Sequence, residues 1–154
     1  MNWANPQPID QREVDLTEPD DWRALRLTPQ DIAQIESELG LRLPLFLTEW
    51  LCENRFRDFK DQCRALVCRR DYLIHENVEY RRNGYYGRLW PEEYFWFGDD
   101  WGGGAYFVDT ASGLSAIFYF SWDSSSGLEV STAESVRYTP QEFETNLRVE
   151  LGYG

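Results

Sequence analysis

Apolar residues recur at helical spacing in the first half of the chain, at Ile32, Ile35 and Leu39 and again at Leu47, Trp50 and Leu51. In "LTPQD", Thr28 and Asp31 have the spacing of a capping box, and Gly40 is a typical helix stop. Pro44 suits the start of the next helix. These signals predict a packed helical pair over 29–39 and 44–54, and a weaker periodicity predicts a third helix over 71–82.

Beyond residue 90 the pattern changes to short aromatic and β-branched runs, which turn-forming residues separate. The runs "EYFWFG", "AYFVDT" and "SAIFYFSW" predict an antiparallel meander over 94–98, 105–109 and 116–122, and "LEVST" is a weaker fourth strand. The apolar run "ALVC" at 65–68 also predicts a short strand. The stretch "YTPQEFETNL" repeats the capping signal and predicts a closing helix over 140–149.

This order of elements predicts an α+β fold with an N-terminal helical pair, an antiparallel β-sheet meander and packed helices that include a C-terminal helix. Residues 1–25 are acidic and contain three prolines, which is typical of an extended arm, and 26–154 are predicted to form a single domain. The candidate core residues are Trp50, Leu51, Phe95, Phe97, Phe107, Phe118 and Phe120. The alternation of side chains along a strand would turn some of these outward.

The chain is strongly acidic, and the acids are unevenly distributed. Twenty-seven acids against fifteen bases give a net charge of −12 over 154 residues, and residues 88–154 alone hold eleven acids and three bases. Such a surface repels nucleic acid and anionic lipid and favours basic protein partners. The same acidity also serves solubility, so charge alone does not decide the function.

The remaining composition indicates a cytoplasmic protein. The start "MNWANPQPIDQREVD" has none of the features of a signal peptide, and no apolar run approaches the length of a membrane span. The three cysteines form no CxxC pair, which is typical of reduced thiols in the cytoplasm.

The stretch "WFGDDWGGGAYFVDT" places two aspartates and a tryptophan ahead of three glycines. No lysine follows the glycines and a strand is predicted after them, so a phosphate-binding loop is excluded. Metal ligands at the required spacing are also missing, and neither a metal nor another cofactor is expected. The stretch is therefore predicted to be a turn, with Trp101 either exposed as an anchor for a partner or folded back onto the sheet.

Two enzymatic interpretations compete with a role in binding a partner. A catalytic triad would have to use His75, the single histidine, which lies within a predicted helix, and no nucleophile elbow is present. A carbohydrate-acting enzyme with paired carboxylates is the weaker alternative that stays open. Such an enzyme uses acidic residues and tryptophans that stack on sugar rings, and the candidates here are Glu92, Glu93, Asp99, Asp100 and Asp123, with Trp90, Trp101 and Trp122.

Three blocks of the sequence resemble the SUKH superfamily, which includes fungal cell-wall assembly regulators and bacterial immunity proteins. The first runs from "ELGLRLP" through "LPLFLTEWLCEN", where the signature positions are Leu43, Pro44, Trp50, Leu51 and Asn54. The second is "WPEEYFWFGDDWGGGAYFVDT", and the third is "GLSAIFYFSWD". Arg55 stands where the family usually has glycine, and Gly104 stands where aspartate or asparagine is frequent.

The resemblance implies a protein that binds rather than catalyses. Bacterial members are antidotes that neutralise a cognate toxin, often a nuclease, and fungal members suggest an intracellular regulatory adaptor as the alternative. An acidic surface is suited to a basic toxin domain, so a protein partner is expected and direct contact with nucleic acid or a membrane is not. The candidate partner-binding residues are Glu92, Glu93, Asp99, Asp100, Trp101, Trp122 and Asp123.

Overall fold

The computed structural model describes residues 24–58, 64–100, 103–121 and 136–150. Within them the elements follow the order α1 (Pro29–Leu39), α2 (Leu45–Glu53), α3 (Arg70–Asn83), β1 (Tyr94–Asp99), β2 (Gly104–Asp109), β3 (Ile117–Ser121), β4 (Val136–Tyr138) and α4 (Pro140–Glu150). The four strands form one antiparallel sheet in the order β1-β2-β3-β4. The predicted α+β fold and its meander are confirmed.

The two predicted capping boxes are present. The Thr28 hydroxyl accepts a hydrogen bond from the Asp31 backbone N–H at 3.1 Å, and the Asp31 carboxylate accepts one from the Thr28 N–H at 2.9 Å. Thr139 and Glu142 make the same exchange at the start of α4. Gly40 ends α1 in the left-handed conformation, with φ 67°. These local signals fix the starts of both helices and the end of α1 where the sequence predicts them.

The end of α2 depends on an asparagine. Asn54 adopts φ 50° and its backbone N–H donates to the Trp50 carbonyl. Its side-chain amide is buried and donates to the Leu25 carbonyl at 3.0 Å. Because asparagine tolerates the left-handed conformation, α2 ends at Glu53 although Arg55 occupies the position where the family usually has glycine.

Both faces of the sheet are covered by aromatic side chains. On one face, Trp96 lies against Tyr80 of α3, and Phe107 lies against Trp90. On the other, the Phe97 ring lies 6.2 Å from Phe143 of α4. The seven candidate core residues are therefore all buried, and the expectation that alternation would expose some of them is wrong. The helix α1 packs against α3.

The outer edge of β1 is closed by a side chain. Asn77 of α3 is 0% exposed, and its carbonyl oxygen accepts a hydrogen bond from the Trp96 backbone N–H at 2.8 Å. Its amide nitrogen donates to the Trp96 carbonyl at 2.9 Å and to the Leu73 carbonyl at 2.8 Å. One asparagine thus supplies the pair of hydrogen bonds that a neighbouring strand would give to this residue.

The rest of that edge is covered by residues 64–67. The Val67 N–H donates to the Phe97 carbonyl at 2.9 Å, and the Asp99 N–H donates to the Arg64 carbonyl at 2.8 Å. The predicted strand at 65–68 is nevertheless wrong, because the segment is buried beside β1 but is not regular. A side chain in place of Gly98 would put its Cβ 2.6 Å from the Arg64 carbonyl oxygen, so only glycine allows this approach.

Several predictions fall on other parts of the chain. The weak strand at 128–132 and most of the arm at 1–25 lie outside the described residues, and the fourth described strand is Val136–Tyr138, which had not been predicted. In the described parts of the chain, no helix has both the length and the apolarity that crossing a bilayer requires.

Candidate functional site

The turn between β1 and β2 is held by the second of its two aspartates. One Asp100 carboxylate oxygen accepts a hydrogen bond from the Gly104 N–H at 2.9 Å, and the other accepts one from the Tyr119 hydroxyl at 2.7 Å. A Cβ at Gly104 would overlap the Tyr119 ring and hydroxyl, which is why aspartate or asparagine has no room here. The predicted role of aspartate in supporting this turn is confirmed for Asp100.

The first aspartate pairs with an arginine. The Asp99 carboxylate lies 3.0 Å from a terminal guanidinium nitrogen of Arg64, whose side chain is 7% exposed. Arg64 also donates to the Tyr72 hydroxyl at 3.1 Å. Burial opposes the charge of Arg64, but the hydrogen bond and the negative charge of Asp99 outweigh it and hold the pKa above its ordinary value. Arg64 is therefore charged at neutral pH.

A cavity of about 460 Å³ opens beside this ion pair. Its described lining consists of Arg64, Tyr72, Tyr80, Tyr85, Tyr86, Asp99 and Gly103. The volume lies in the range of ligand-binding pockets. Helix α3 supplies two of the tyrosines, the turn that follows it supplies the other two, and the ends of the β1–β2 connection complete the wall.

The turn after α3 exposes one of these tyrosines. Tyr85 and Arg88 form an isolated antiparallel bridge, and Gly84 and Gly87 have φ of 77° and 80°. Tyr86 lies at the tip with φ 48° and is 60% exposed, although a tyrosine seldom adopts this conformation. The stretch "NGYYGRLW" contains the Asn-Gly and glycine signals of a tight turn, and this signal could have located the site.

The tyrosine hydroxyls lie in a negative field. Burial is the main cause that raises the pKa of Tyr80, and the charge of Glu76 and its hydrogen bond with Tyr80 add to it. Burial likewise raises the pKa of Tyr85, with Asp99 and Asp100 as further contributors. Burial also raises the pKa of Glu76 itself. Nearby carboxylates thus add, after burial, to the rise in the pKa of both tyrosines.

The residues that the sequence singled out do not form one cluster. Glu92 and Glu93 precede β1 with exposed side chains, whereas Asp99 and Asp100 follow at its other end. Asp99 comes six positions after Glu93 along an extended strand, so their backbones are about 20 Å apart. At this distance neither Glu92 nor Glu93 can form a pair of catalytic carboxylates with Asp99. Trp101, Trp122 and Asp123 lie outside the described residues.

Other chemical centres are not assembled in the parts of the chain that the structure describes. Among these residues, no group of three or more His, Cys, Asp or Glu side chains is placed to hold a metal ion. His75 lies within α3 and is half-buried.

A family model covers most of the chain. The model of the SMI1/KNR4 family (SUKH-1) matches residues 26–138. The chain belongs to the SMI1/KNR4 family. No curated protein and no solved structure is significantly similar to it.

The residues that carry the SMI1/KNR4 signature belong to the scaffold. Leu43, Trp50 and Leu51 are buried in the core, Pro44 precedes α2, and Asn54 ends it. In the described lining of the cavity, Asp99 and Gly103 belong to the second block that resembles the family, whereas the arginine and the four tyrosines lie outside the three blocks. The family signature therefore identifies the fold, and the identity of a partner has to be argued from the surface of this chain.

Proposed function

We propose that this SMI1/KNR4 protein is an immunity protein that acts in the cytoplasm, where it binds a basic toxin domain and neutralises it without catalytic turnover. A nuclease is the toxin class that this proposal favours, because the surface of a nuclease that receives nucleic acid is basic. The observation that carries the proposal is the net charge of −12. Such a charge attracts a basic cleft and competes with its anionic substrate.

The arrangement of exposed acids supports the proposal. Glu92, Glu93 and Asp100 are exposed in the described structure; Glu92 and Glu93 lie at one end of the edge strand β1, and Asp100 lies at the other. Asp100 and its neighbour Asp99 are held by internal hydrogen bonds. Fixed carboxylates lose little conformational freedom when a partner binds, which favours recognition.

The test begins with the genes that flank this one, and a toxin-like domain encoded there is co-expressed with the chain. We expect the chain to restore growth and to form a stoichiometric complex with the purified toxin domain. Binding without rescue would favour the regulatory-adaptor alternative, and the absence of both binding and rescue would refute the proposal.

A charge-reversal variant refines this test. Glu92→Lys combined with Glu93→Lys changes the charge by +4 and leaves the internal contacts of Asp99 and Asp100 intact. Association should slow markedly at low salt and less at high salt, because screening weakens steering. The matched control is Glu49→Lys combined with Glu150→Lys, which makes the same change at two exposed positions on α2 and α4. Equal effects of both variants would mean that only the net charge matters.

A further inference from the structure

The cavity beside Arg64 presents aromatic rings from two directions. The Tyr80 and Tyr85 rings meet edge to face with centroids 5.1 Å apart, and the Tyr85 and Tyr86 rings do the same at 4.8 Å. Tyr72 lies on the Arg64 side of the cavity, where its hydroxyl accepts a hydrogen bond from that guanidinium. The result is a cavity of about 460 Å³ whose walls carry several aromatic rings and hydroxyl groups.

The charges around the cavity disfavour an anion. The one guanidinium in its described lining, Arg64, is already matched by Asp99. Glu76 is hydrogen-bonded to the Tyr80 hydroxyl, and the charges of Asp99 and Asp100 act on Tyr85. A carboxylate or phosphate that entered here would meet these negative charges, whereas a cation would be attracted.

One aromatic wall of the cavity, Tyr72, already packs against guanidinium groups of the protein itself. The guanidinium carbon of Arg64 lies 5.2 Å from the centroid of the Tyr72 ring, and that of Arg69 lies 5.9 Å from it. On the neighbouring turn, the Arg88 guanidinium lies 5.2 Å from the Phe120 ring centroid. Cation–π attraction of this kind is strongest where the cation is shielded from water.

We propose that the cavity is a receptor for a single cationic side chain of the protein partner, an arginine or a lysine, which enters it and packs against the wall that Tyr80, Tyr85 and Tyr86 form. This inference rests on the proposed function, since it assumes a basic protein partner. The exposed ring of Tyr86 covers the inserted side chain, and the carboxylates of Glu76 and Asp100, which act on Tyr80 and Tyr85, supply the negative field. A buried, aromatic-lined pocket for an arginine has the character of a binding hot spot.

The cavity can be tested without the partner. The probe is N-acetyl-arginine methylamide, titrated into the full chain and followed by NMR. We expect shifts concentrated at Tyr80, Tyr85 and Gly103, and about tenfold weaker binding of the citrulline analogue, which has nearly the same shape but no charge. Equal binding of the two probes, or shifts spread over the surface, would overturn the inference.

A pair of variants on one turn provides the control. Tyr86→Ala removes a wall of the cavity, whereas Leu89→Ala removes a side chain that is 84% exposed and does not line it. Arginine binding should weaken about fivefold to tenfold in the first variant and remain unchanged in the second. If Tyr86→Ala binds the probe like the parent, the inference is wrong. Thermal melts must first show that both variants are folded.

The two proposals fail in different ways. The probe titration requires no toxin, so it decides the nature of the cavity even if the toxin domain does not bind. If the toxin binds and the Kd is the same for Tyr86→Ala and the parent, the proposed function stands and the cavity is not the receptor. A weaker toxin complex with Tyr86→Ala, and an unaffected one with Leu89→Ala, would support both proposals.

Discussion

Asn77 closes the edge of the sheet next to the cavity, and its replacement by leucine tests how the fold is held together. Leucine has a similar size but cannot bond to the Trp96 N–H and carbonyl, which Asn77 contacts at 2.8 and 2.9 Å. Each buried group left without a partner costs about 1–3 kcal/mol, so the loss is about 2–6 kcal/mol. Burial of the apolar side chain recovers about 1–2 kcal/mol.

The expected net loss for Asn77→Leu, taking the lower ends and the upper ends together, is therefore about 1–4 kcal/mol, out of a total stability of about 5–15 kcal/mol for a domain of this kind. The assay is urea unfolding followed by the fluorescence of the seven tryptophans. Asn83→Leu is the matched control, because Asn83 is exposed on the same helix and bonds to the Glu79 side chain. The free energy of unfolding of Asn83→Leu should be less than about 0.5 kcal/mol below that of the parent.

Asn77→Asp adds a dependence on pH. A carboxylate here would face the carbonyls of Trp96 and Leu73, so the folded state should raise its pKa above the ordinary value of about 3.9. The folded protein then binds a proton that the unfolded chain has lost. Stability relative to the parent should fall by about 1.4 kcal/mol for each pH unit above 3.9, until the folded pKa is reached.

Two results would refute this reasoning. One is an Asn77→Leu variant that unfolds within about 0.5 kcal/mol of the parent, because Asn77 would then not close the edge in solution. The other is a loss in Asn77→Asp that does not change with pH. Because each variant is compared with the parent at the same pH, the contribution of all other titrating groups to stability cancels.

The remaining predictions concern the site and the helix ends. Gly98→Ala should destabilise by about 1–3 kcal/mol in urea unfolding, because its Cβ would lie 2.6 Å from the Arg64 carbonyl oxygen; an unchanged midpoint would show that the 64–67 segment is not held there. Asp99→Asn should cost about 2 kcal/mol because it leaves Arg64 buried without its countercharge, and a neutral result would mean that the ion pair is not formed. Thr28→Ala should lose about 1 kcal/mol with the first capping box, and hydrogen exchange at the start of α1 should increase; unchanged exchange would contradict the role of this cap.

Local signals in the sequence were sufficient for most of the elements. Thr28, Gly40 and Thr139 act through bonds to residues within four positions, and such bonds can be read from spacing alone. The aromatic runs predicted three strands and the antiparallel meander for the same reason, since each run and each turn is short.

The errors arise where distant residues meet. The run at 65–68 is apolar because it is buried beside β1, but Asn77 occupies part of that edge, and no local pattern reports this contact. The expected outward aromatics were wrong because α3 and α4 cover opposite faces of the sheet. Alternation predicts exposure only for a sheet with one covered face.

The candidate site could be predicted only in part. The sequence pointed to Asp99, which lines the cavity, and to Asp100, which holds the adjoining turn, but it gave no sign that Asp99 would pair with Arg64, 35 residues earlier. The tyrosines of the cavity lie at helical spacing or in a turn, and their convergence depends on how α3 packs against β1. Whether Glu92, Glu93, Trp101, Trp122 and Asp123 contact a partner stays a prediction.

The central claim is that the chain neutralises a toxin by binding it. The most direct measurement is a titration of the activity of the purified cognate toxin domain with the chain. Binding predicts that the activity falls linearly and vanishes at one equivalent of the chain. Complete loss of activity at a small fraction of an equivalent would reveal a catalyst, and undiminished activity at an excess would contradict the role in immunity.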